Sequence, residues 1–155
     1  YFYSRMWKDH EKAQDFVHDL MTKIIHKPES FDSQRSFKTW IFSIANNMTI
    51  NEYKKQAVRS NTQNGLDESI HDLAKNAGIE NEVDDREFKR ALEEELETMD
   101  MKHREVFELR HINGMSNKEI AEILKINEGT VKSRVFYAIK HLSMKLEAFK
   151  PSYQS

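Results

Sequence analysis

Apolar side chains recur at helical spacing in two stretches of the first sixty residues. One stretch runs from Ala13 to Ile25 and the other begins at Phe37, with apolar positions three and four residues apart. This spacing places an apolar stripe along each helix and predicts that the stripe is buried. Pro28 should end the first helix, because proline cannot continue the hydrogen-bond ladder. The stripes comprise Ala13, Phe16, Val17, Leu20, Met21, Ile24 and Ile25 in the first helix, and Phe37, Trp40, Ile41, Ile44, Ala45 and Met48 in the second.

Two helices alone bury little surface, so we expect a third helix at Tyr1–Trp7, cut short at its N-terminal end. Helical periodicity is lost over 59–84, where polar residues and two glycines predict a linker with one short turn at Ile70–Ala74. Periodicity then returns. We therefore predict an all-α fold of two small helical domains, 1–58 and 85–150, joined by a flexible acidic linker.

Local signals in the second domain predict a helix-turn-helix. Gly114 suits the left-handed position after one helix, and Ser116 and Glu119 form a capping box that starts the next. The chain then turns at Lys125, and Ile126 fills the corner. In the following helix Val131, Val135, Ala138 and Leu142 return to the core, so Lys132, Ser133, Arg134 and Tyr137 project outward.

The composition agrees with a helical protein. The 155 residues include four glycines, two prolines and no cysteine. Few glycines and prolines favour helices over a turn-rich β architecture, and the lack of cysteine excludes a disulfide framework or a thiolate zinc site. No apolar run is long enough to span a membrane, and the N-terminus lacks the features of a signal peptide. We expect a cytoplasmic protein without membrane insertion.

Charge is segregated along the chain, although the net charge is −2. Residues 1–60 carry a net +3, residues 61–105 a net −8 and residues 106–155 a net +3. This asymmetry suggests two modules able to meet a polyanion, joined by an acidic stretch that a polyanion would repel. A single charge block is more often a solvated surface, so motifs must decide between the two interpretations.

The residues that catalysis or metal binding would need are scattered. His18 and His26 lie eight positions apart, as do His103 and His111, and the sequence HExxH does not occur. The chain also lacks a glycine-rich phosphate loop and a Ser-His-Asp order. We therefore expect no catalytic residue, no metal and no cofactor, and a protein that is not an enzyme.

Five segments of the sequence resemble conserved motifs of one family. They are Asp15–Leu20 and Phe37–Asn47 in the first domain, and Arg104–Arg110, Ser116–Leu124 and Gly129–Arg134 in the second. In this order the segments resemble the bacterial RNA polymerase sigma factors of the extracytoplasmic-function (ECF) group. The resemblance covers about residues 9–58 and 90–147.

The resemblance implies a role for each domain. The first domain would hold the polymerase clamp through Asp15, Asp19 and Lys23 and would bind the melted −10 promoter element, and the second would read the −35 element. Core RNA polymerase, promoter DNA and an anti-sigma factor are the implied partners. The implied −10 residues are Phe31, Ser36, Lys38, Asn47, Lys54 and Lys55, and the implied −35 residues are Thr130, Lys132, Ser133, Arg134 and Tyr137.

Some positions need separate expectations. Phe31 is expected to contact a base, whereas Phe37 and Trp40 lie on the apolar stripe and are expected in the core. Lys125 stands where the family commonly has glycine in the turn, so its backbone is expected to be left-handed. Asn51 stands where the family often has aspartate. Tyr137 stands where an arginine often reads the −35 element, and tyrosine lacks the paired donors that read guanine.

Three other interpretations compete with these roles. Asp19 and Lys23 are spaced to form a simple surface ion pair on one helix. A helix-turn-helix also occurs in response-regulator-like transcription factors that do not dock on polymerase, although that function leaves the first domain unexplained. The basic face could instead bind an acidic regulator, which is compatible with an anti-sigma partner.

Overall fold

The computed structural model describes residues 1–6, 8–62 and 83–149, and every regular element in those ranges is helical. The prediction of an all-α fold is confirmed. Short 3₁₀ turns lie at Pro28–Ser30 and Glu147–Phe149, and a π-helical turn lies at Glu108–Ile112. The α-helices are α1 Phe2–Arg5, α2 His10–His26, α3 Phe37–Thr62, α4 Val83–Thr98, α5 Met101–Phe107, α6 Asn117–Leu124 and α7 Glu128–Lys145.

The segment predicted as a linker, 59–84, is helical at both of its ends. Helix α3 continues through Thr62, and α4 begins at Val83. The last turns of α3 are largely exposed, as at Lys55 and Val58. A helical turn that buries little surface shows no apolar stripe, so the hydrophobic pattern of α3 ends before the helix does. The short turn predicted at Ile70–Ala74 lies outside the described residues.

The described helices form two compact units, of which the first is built on α1, α2 and α3. Helix α2 begins at Asp9, whose side chain accepts a hydrogen bond of 3.0 Å from the backbone N–H of Lys12. The helix expected at the N-terminus is present as α1, and its Phe2 is part of the core. The buried core residues are Phe2, Ala13, Leu20 and Ala45, against which Phe16, Ile24, Ile41, Ile44 and Met48 pack.

The apolar stripe of α2 is only partly buried, contrary to the prediction. Ala13 and Leu20 are buried, but Val17, Met21 and Ile25 are exposed. Each step of four residues turns a helix by about 40° beyond a full circle. The row Val17, Met21 and Ile25 therefore winds away from the side of α2 that meets the core. We call these three residues the α2 apolar row.

The second unit is built on α4, α5 and α7 together with most of α6. Leu96 and Met99 of α4 pack with Ala138 and Leu142 of α7 and with Leu146, which caps α7 at its C-terminus. The break predicted at Asp100 is confirmed. The Asp100 side chain accepts a hydrogen bond of 2.9 Å from the backbone N–H of Lys102 and so caps the start of α5.

Helix α6 begins with the predicted capping box. The backbone N–H of Ser116 donates to Glu119 Oε2 (2.8 Å), and the backbone N–H of Glu119 donates to Ser116 Oγ (3.2 Å). Gly114 has φ 65°, the left-handed conformation expected after the preceding helix. The start of α6 is thus fixed by reciprocal bonds that satisfy two otherwise unpaired donors.

The turn between α6 and α7 has the geometry that the sequence predicts. Lys125 has φ 56°, and the backbone N–H of Ile126 donates to the carbonyl oxygen of Ala121 (3.0 Å). Asn127 then caps α7, because its Oδ1 accepts hydrogen bonds from the backbone N–H (2.7 Å) and from the hydroxyl (2.9 Å) of Thr130. The sequence analysis had not assigned this capping role to Asn127.

A partly buried ion pair joins α2 to α3 in the first unit. Lys12 Nζ lies 2.8 Å from Glu52 Oε1, and the Glu52 side chain is only 13% exposed. The hydrogen bond from Lys12 lowers the pKa of the Glu52 carboxyl below its ordinary 4.5, although burial acts in the opposite direction. The lowered pKa means that the folded state favours the ionised carboxylate.

We expect Glu52→Gln to lower the free energy of unfolding at pH 7 by about 0.5–1 kcal/mol. Because the folded-state pKa is depressed, this stabilisation is present above the unfolded-state pKa near 4.5 and is lost as pH falls through the lower folded-state value. Denaturant unfolding at pH 7 and at pH 3 measures both effects, with the exposed Glu29→Gln as control. A constant difference between wild type and variant at both pH values would contradict the assignment.

We expect Lys125→Gly to raise the free energy of unfolding by up to about 1 kcal/mol. A left-handed conformation costs a non-glycine residue about 1–2 kcal/mol, which glycine relieves. The extra freedom of glycine in the unfolded chain offsets about 0.5–1 kcal/mol of this stabilisation. Thermal unfolding measures the change. The matched control is Lys118→Gly within α6, which should instead destabilise by about 1 kcal/mol. A lower melting temperature for Lys125→Gly would show that the turn is not strained.

Candidate nucleic-acid interface

Helix α7 has one buried face and one exposed face. Val131, Ala138 and Leu142 are buried, with Val131 and Ala138 fully inaccessible. The five residues predicted for the −35 element all lie in the first three turns of α7. Lys132, Ser133 and Tyr137 are exposed, whereas Thr130 and Arg134 are half-buried. The helix therefore presents a short polar and cationic surface opposite its packed side.

The hydroxyl groups on this surface are engaged within the helix. The Thr130 hydroxyl donates to Asn127 Oδ1 (2.9 Å), and the Ser133 hydroxyl donates to the Thr130 carbonyl oxygen (3.0 Å). Lys132 and Arg134 contribute the cationic groups of the same surface. A helix with this arrangement has the size and charge to enter a major groove about 12 Å wide.

Phe136 is exposed on the same turns of α7, and the sequence analysis missed it. Its ring centroid lies 5.5 Å from that of Tyr137 at an interplanar angle of 75°. Tyr137 also meets His103 of α5, at 5.9 Å and 46°. A signal was available, because the core positions of α7 begin at Val131 and recur at Val135 and Ala138, which leaves Phe136 off the packed face.

In the first unit, three aromatic rings form a partly exposed cluster at the start of α3. The centroid of Phe31 lies 5.4 Å from that of Phe37 and 5.1 Å from that of Trp40, and the last two are 5.6 Å apart. Phe37 is 53% exposed, so its predicted place in the core is wrong, and Trp40 is half-buried. Phe37 is the first residue of α3, where the helix lies at the margin of the core.

The other residues predicted for the −10 element lie at different angles around α3. At 100° per residue, Trp40, Asn47 and Lys54 fall within about 40° of one another, and Lys55 flanks them. Asn47, Lys54 and Lys55 are exposed. Lys38 is nine residues before Asn47 and so lies on the opposite side of the helix. Ser36 is exposed, and its Oγ accepts a hydrogen bond of 3.5 Å from the backbone N–H of Thr39.

The residues predicted to bind polymerase are exposed on α2. Asp15, Asp19 and Lys23 form one row along the helix. The α2 apolar row is exposed on the other edge of the same solvent face, about 160° away by helical geometry. The sequence analysis missed this second row because its periodicity is that of a core stripe.

The described residues hold neither a metal cluster nor a membrane span. Across residues 1–6, 8–62 and 83–149, no group of three or more His, Cys, Asp or Glu side chains could hold a metal ion. Within the same ranges, no helix combines the length and the apolar character that crossing a bilayer requires.

Comparison with known families matches both halves of the chain. The sigma-70 region 2 family matches residues 1–59, and the sigma-70 region 4 family matches residues 89–142. The chain is 30% identical over 148 residues to the ECF RNA polymerase sigma factor SigL of Mycobacterium tuberculosis, a match that covers 92% of this chain and 79% of that protein. It is also 30% identical over 138 residues to SigW of Bacillus subtilis, covering 84% and 73%.

A solved structure supports the same assignment. The sigma factor RpoE of Bartonella quintana, crystallised with the anti-sigma factor NepR, superposes with a TM-score of 0.73 at 29% sequence identity. The superposition covers 89% of this chain and 82% of RpoE. The resemblance seen in the sequence motifs is confirmed, and the chain belongs to the ECF group of RNA polymerase sigma factors.

Proposed function

We propose that this sigma factor directs promoter-specific transcription by seating the N-terminal half of α7 in the −35 element while its first unit holds the −10 element. The observation that carries the proposal is the two-sided character of α7. Its packed face is anchored by Val131, Ala138 and Leu142. Outside that face, Lys132 is exposed and Arg134 is half-buried. A recognition helix needs this arrangement, since base edges and phosphates are met by the first turns.

The −35 contacts divide by chemistry. Lys132 and Arg134 supply positive charge for phosphates, and an arginine can also pair with guanine through two donors. Thr130 and Ser133 line the same turns with hydroxyl oxygens. Lys145 lies thirteen residues beyond Lys132, about 20 Å along the helix axis, so it falls outside a groove entered by the N-terminal turns.

The aromatic cluster of the first unit supports a −10 role. Phe31, Phe37 and Trp40 form one ring cluster, in which Phe37 is exposed and the other two rings are half-buried. Trp40 falls within about 40° of Asn47 and Lys54 around α3. Stacking on an aromatic ring is worth about 1–3 kcal/mol per base, which can offset the few kcal/mol needed to extrude a base from the duplex. We include Ser36 and Lys55 in this surface and leave out Lys38, which projects from the other side of α3.

Helix α2 supports docking on core RNA polymerase. Its exposed face carries both Asp15, Asp19 and Lys23 and the α2 apolar row. Exposed apolar side chains that recur on one side of a helix favour a protein partner. We further propose that an anti-sigma factor regulates the chain, as the complex of the related RpoE with NepR suggests. The protein would work in the cytoplasm and without a catalytic activity of its own.

A response-regulator-like transcription factor is the second candidate. It would use the helix-turn-helix alone. The match of residues 1–59 to sigma-70 region 2 argues against it, because such a factor has no use for that module. Binding to core polymerase separates the two functions.

We expect the purified chain to form a stable complex with core RNA polymerase and Met21→Glu to weaken that complex at least tenfold. Burying one large apolar side chain contributes about 1.5–3 kcal/mol, and 1.4 kcal/mol corresponds to a tenfold change. The matched control is Met144→Glu, at another exposed methionine, which lies on α7. If the wild-type chain forms no complex with core polymerase, the proposed function is wrong. If both variants bind core polymerase equally well, only the docking role of the α2 apolar row is wrong.

We expect Lys132→Ala and Arg134→Ala to weaken promoter binding and Lys145→Ala to change it little. Each lost phosphate contact should also reduce the slope of log affinity against log salt concentration by about one unit, because fewer counterions are released. Affinity of the polymerase complex for a promoter duplex, measured over a range of salt concentrations, tests this. Equal effects at all three positions would mean that α7 acts through general charge and is not seated in the groove.

A further inference from the structure

Tyr137 is held between two other rings on the surface of the second unit. Phe136 meets it edge to face from the same helix, at 5.5 Å and 75°. His103 approaches it from α5, at 5.9 Å and 46°. The tyrosine ring therefore has a neighbour on α7 and another on a different helix, and its orientation does not depend on α7 alone.

This supported ring is nevertheless accessible. Tyr137 is 55% exposed and Phe136 is 61% exposed, on the turn of α7 that follows Arg134. An exposed aromatic side chain that is already fixed in place loses little conformational freedom when it makes a contact. Such a ring is suited to select a partner group by shape and apolar character.

The chemistry of the major groove indicates what that group is. Guanine is read by paired donors, which a tyrosine does not have, and the C5 methyl of thymine is the apolar group exposed on the base edges. Given the proposed seating of α7, on which this inference rests, we propose that Tyr137 selects thymine in the −35 element through its C5 methyl group. In this proposal His103 is a positioning residue that holds the tyrosine ring.

Substitution of thymine by deoxyuridine tests the methyl contact directly, because the two bases differ only in that methyl group. The assay uses the full chain in complex with core polymerase and a promoter duplex on which the complex initiates. Each thymine of the −35 element is replaced in turn by deoxyuridine. Burying a group of this size corresponds to about a fourfold change in affinity, and we expect that loss at one or two positions.

Variants then assign the contact to its residues. The thymine-to-deoxyuridine ratio is the affinity for the thymine duplex divided by the affinity for the deoxyuridine duplex. Tyr137→Ala should reduce this ratio to one, and Tyr137→Phe should leave it unchanged. His103→Ala should lower the ratio without lowering the melting temperature enough to unfold the chain, and His103→Phe, which retains a ring, should restore it. The matched control is His111→Ala, because the His111 ring packs 4.9 Å from Phe107 and not on Tyr137.

The outcomes separate this inference from the proposed function. If the complex binds its promoter but every deoxyuridine duplex binds as well as its thymine parent, the methyl contact is overturned while promoter recognition stands. If Tyr137→Phe removes the difference between thymine and deoxyuridine duplexes, the discrimination depends on the hydroxyl and not on the ring, and the inference is again overturned. If His103→Ala leaves the ratio unchanged, the positioning role fails. A complex that does not distinguish promoter from random DNA removes both proposals.

Discussion

Val131, Ala138 and Leu142 of α7 are buried, and the last two pack with Leu96 and Met99 of α4. This apolar contact determines the rotation of α7 about its own axis. Because side chains advance by 100° per residue, fixing one face of a helix fixes every other position on it. The exposure of Lys132 and Tyr137 and the half-buried position of Arg134 therefore follow from the packing of other residues of the same helix.

The first unit distributes its apolar side chains differently. Helix α2 commits Ala13 and Leu20 to the core and leaves the α2 apolar row exposed. A four-residue α1 and one long neighbour cover only part of the circumference of α2. Exposed apolar surface costs solubility in an isolated protein, so its presence agrees with a chain that works as one subunit of a larger assembly.

Local signals in the sequence predicted the helix boundaries well. The capping box at Ser116 and the break at Asp100 depend on neighbouring residues alone, and both are confirmed. The left-handed backbone of Lys125, expected from the family resemblance, is confirmed as well. Burial was predicted less well. Whether Phe37 or Met21 is buried depends on which elements pack nearby. Periodicity shows how wide an apolar stripe is, but it does not show how much of that stripe a neighbouring helix covers.

The same limit applies to the candidate interface. The sequence placed Lys132, Ser133, Arg134 and Tyr137 on one side of α7, because the core positions of that helix are regular. It did not reveal the contact between His103 and Tyr137, since those residues are far apart in the chain. Nor did it separate Lys38 from Asn47, although both lie within the predicted helix and nine residues at 100° each place them on opposite sides.

Asn127 has a consequence beyond starting α7. Its Oδ1 accepts a hydrogen bond from the Thr130 hydroxyl, and the Thr130 carbonyl oxygen accepts one from the Ser133 hydroxyl. With those protons committed, both hydroxyl oxygens can act toward DNA as acceptors. Phosphate oxygens are acceptors too, so the two hydroxyls match the amino groups of adenine and cytosine better than they match the backbone. Asn127 thereby gives the Thr130 hydroxyl a fixed polarity, and the Thr130 carbonyl oxygen does the same for Ser133.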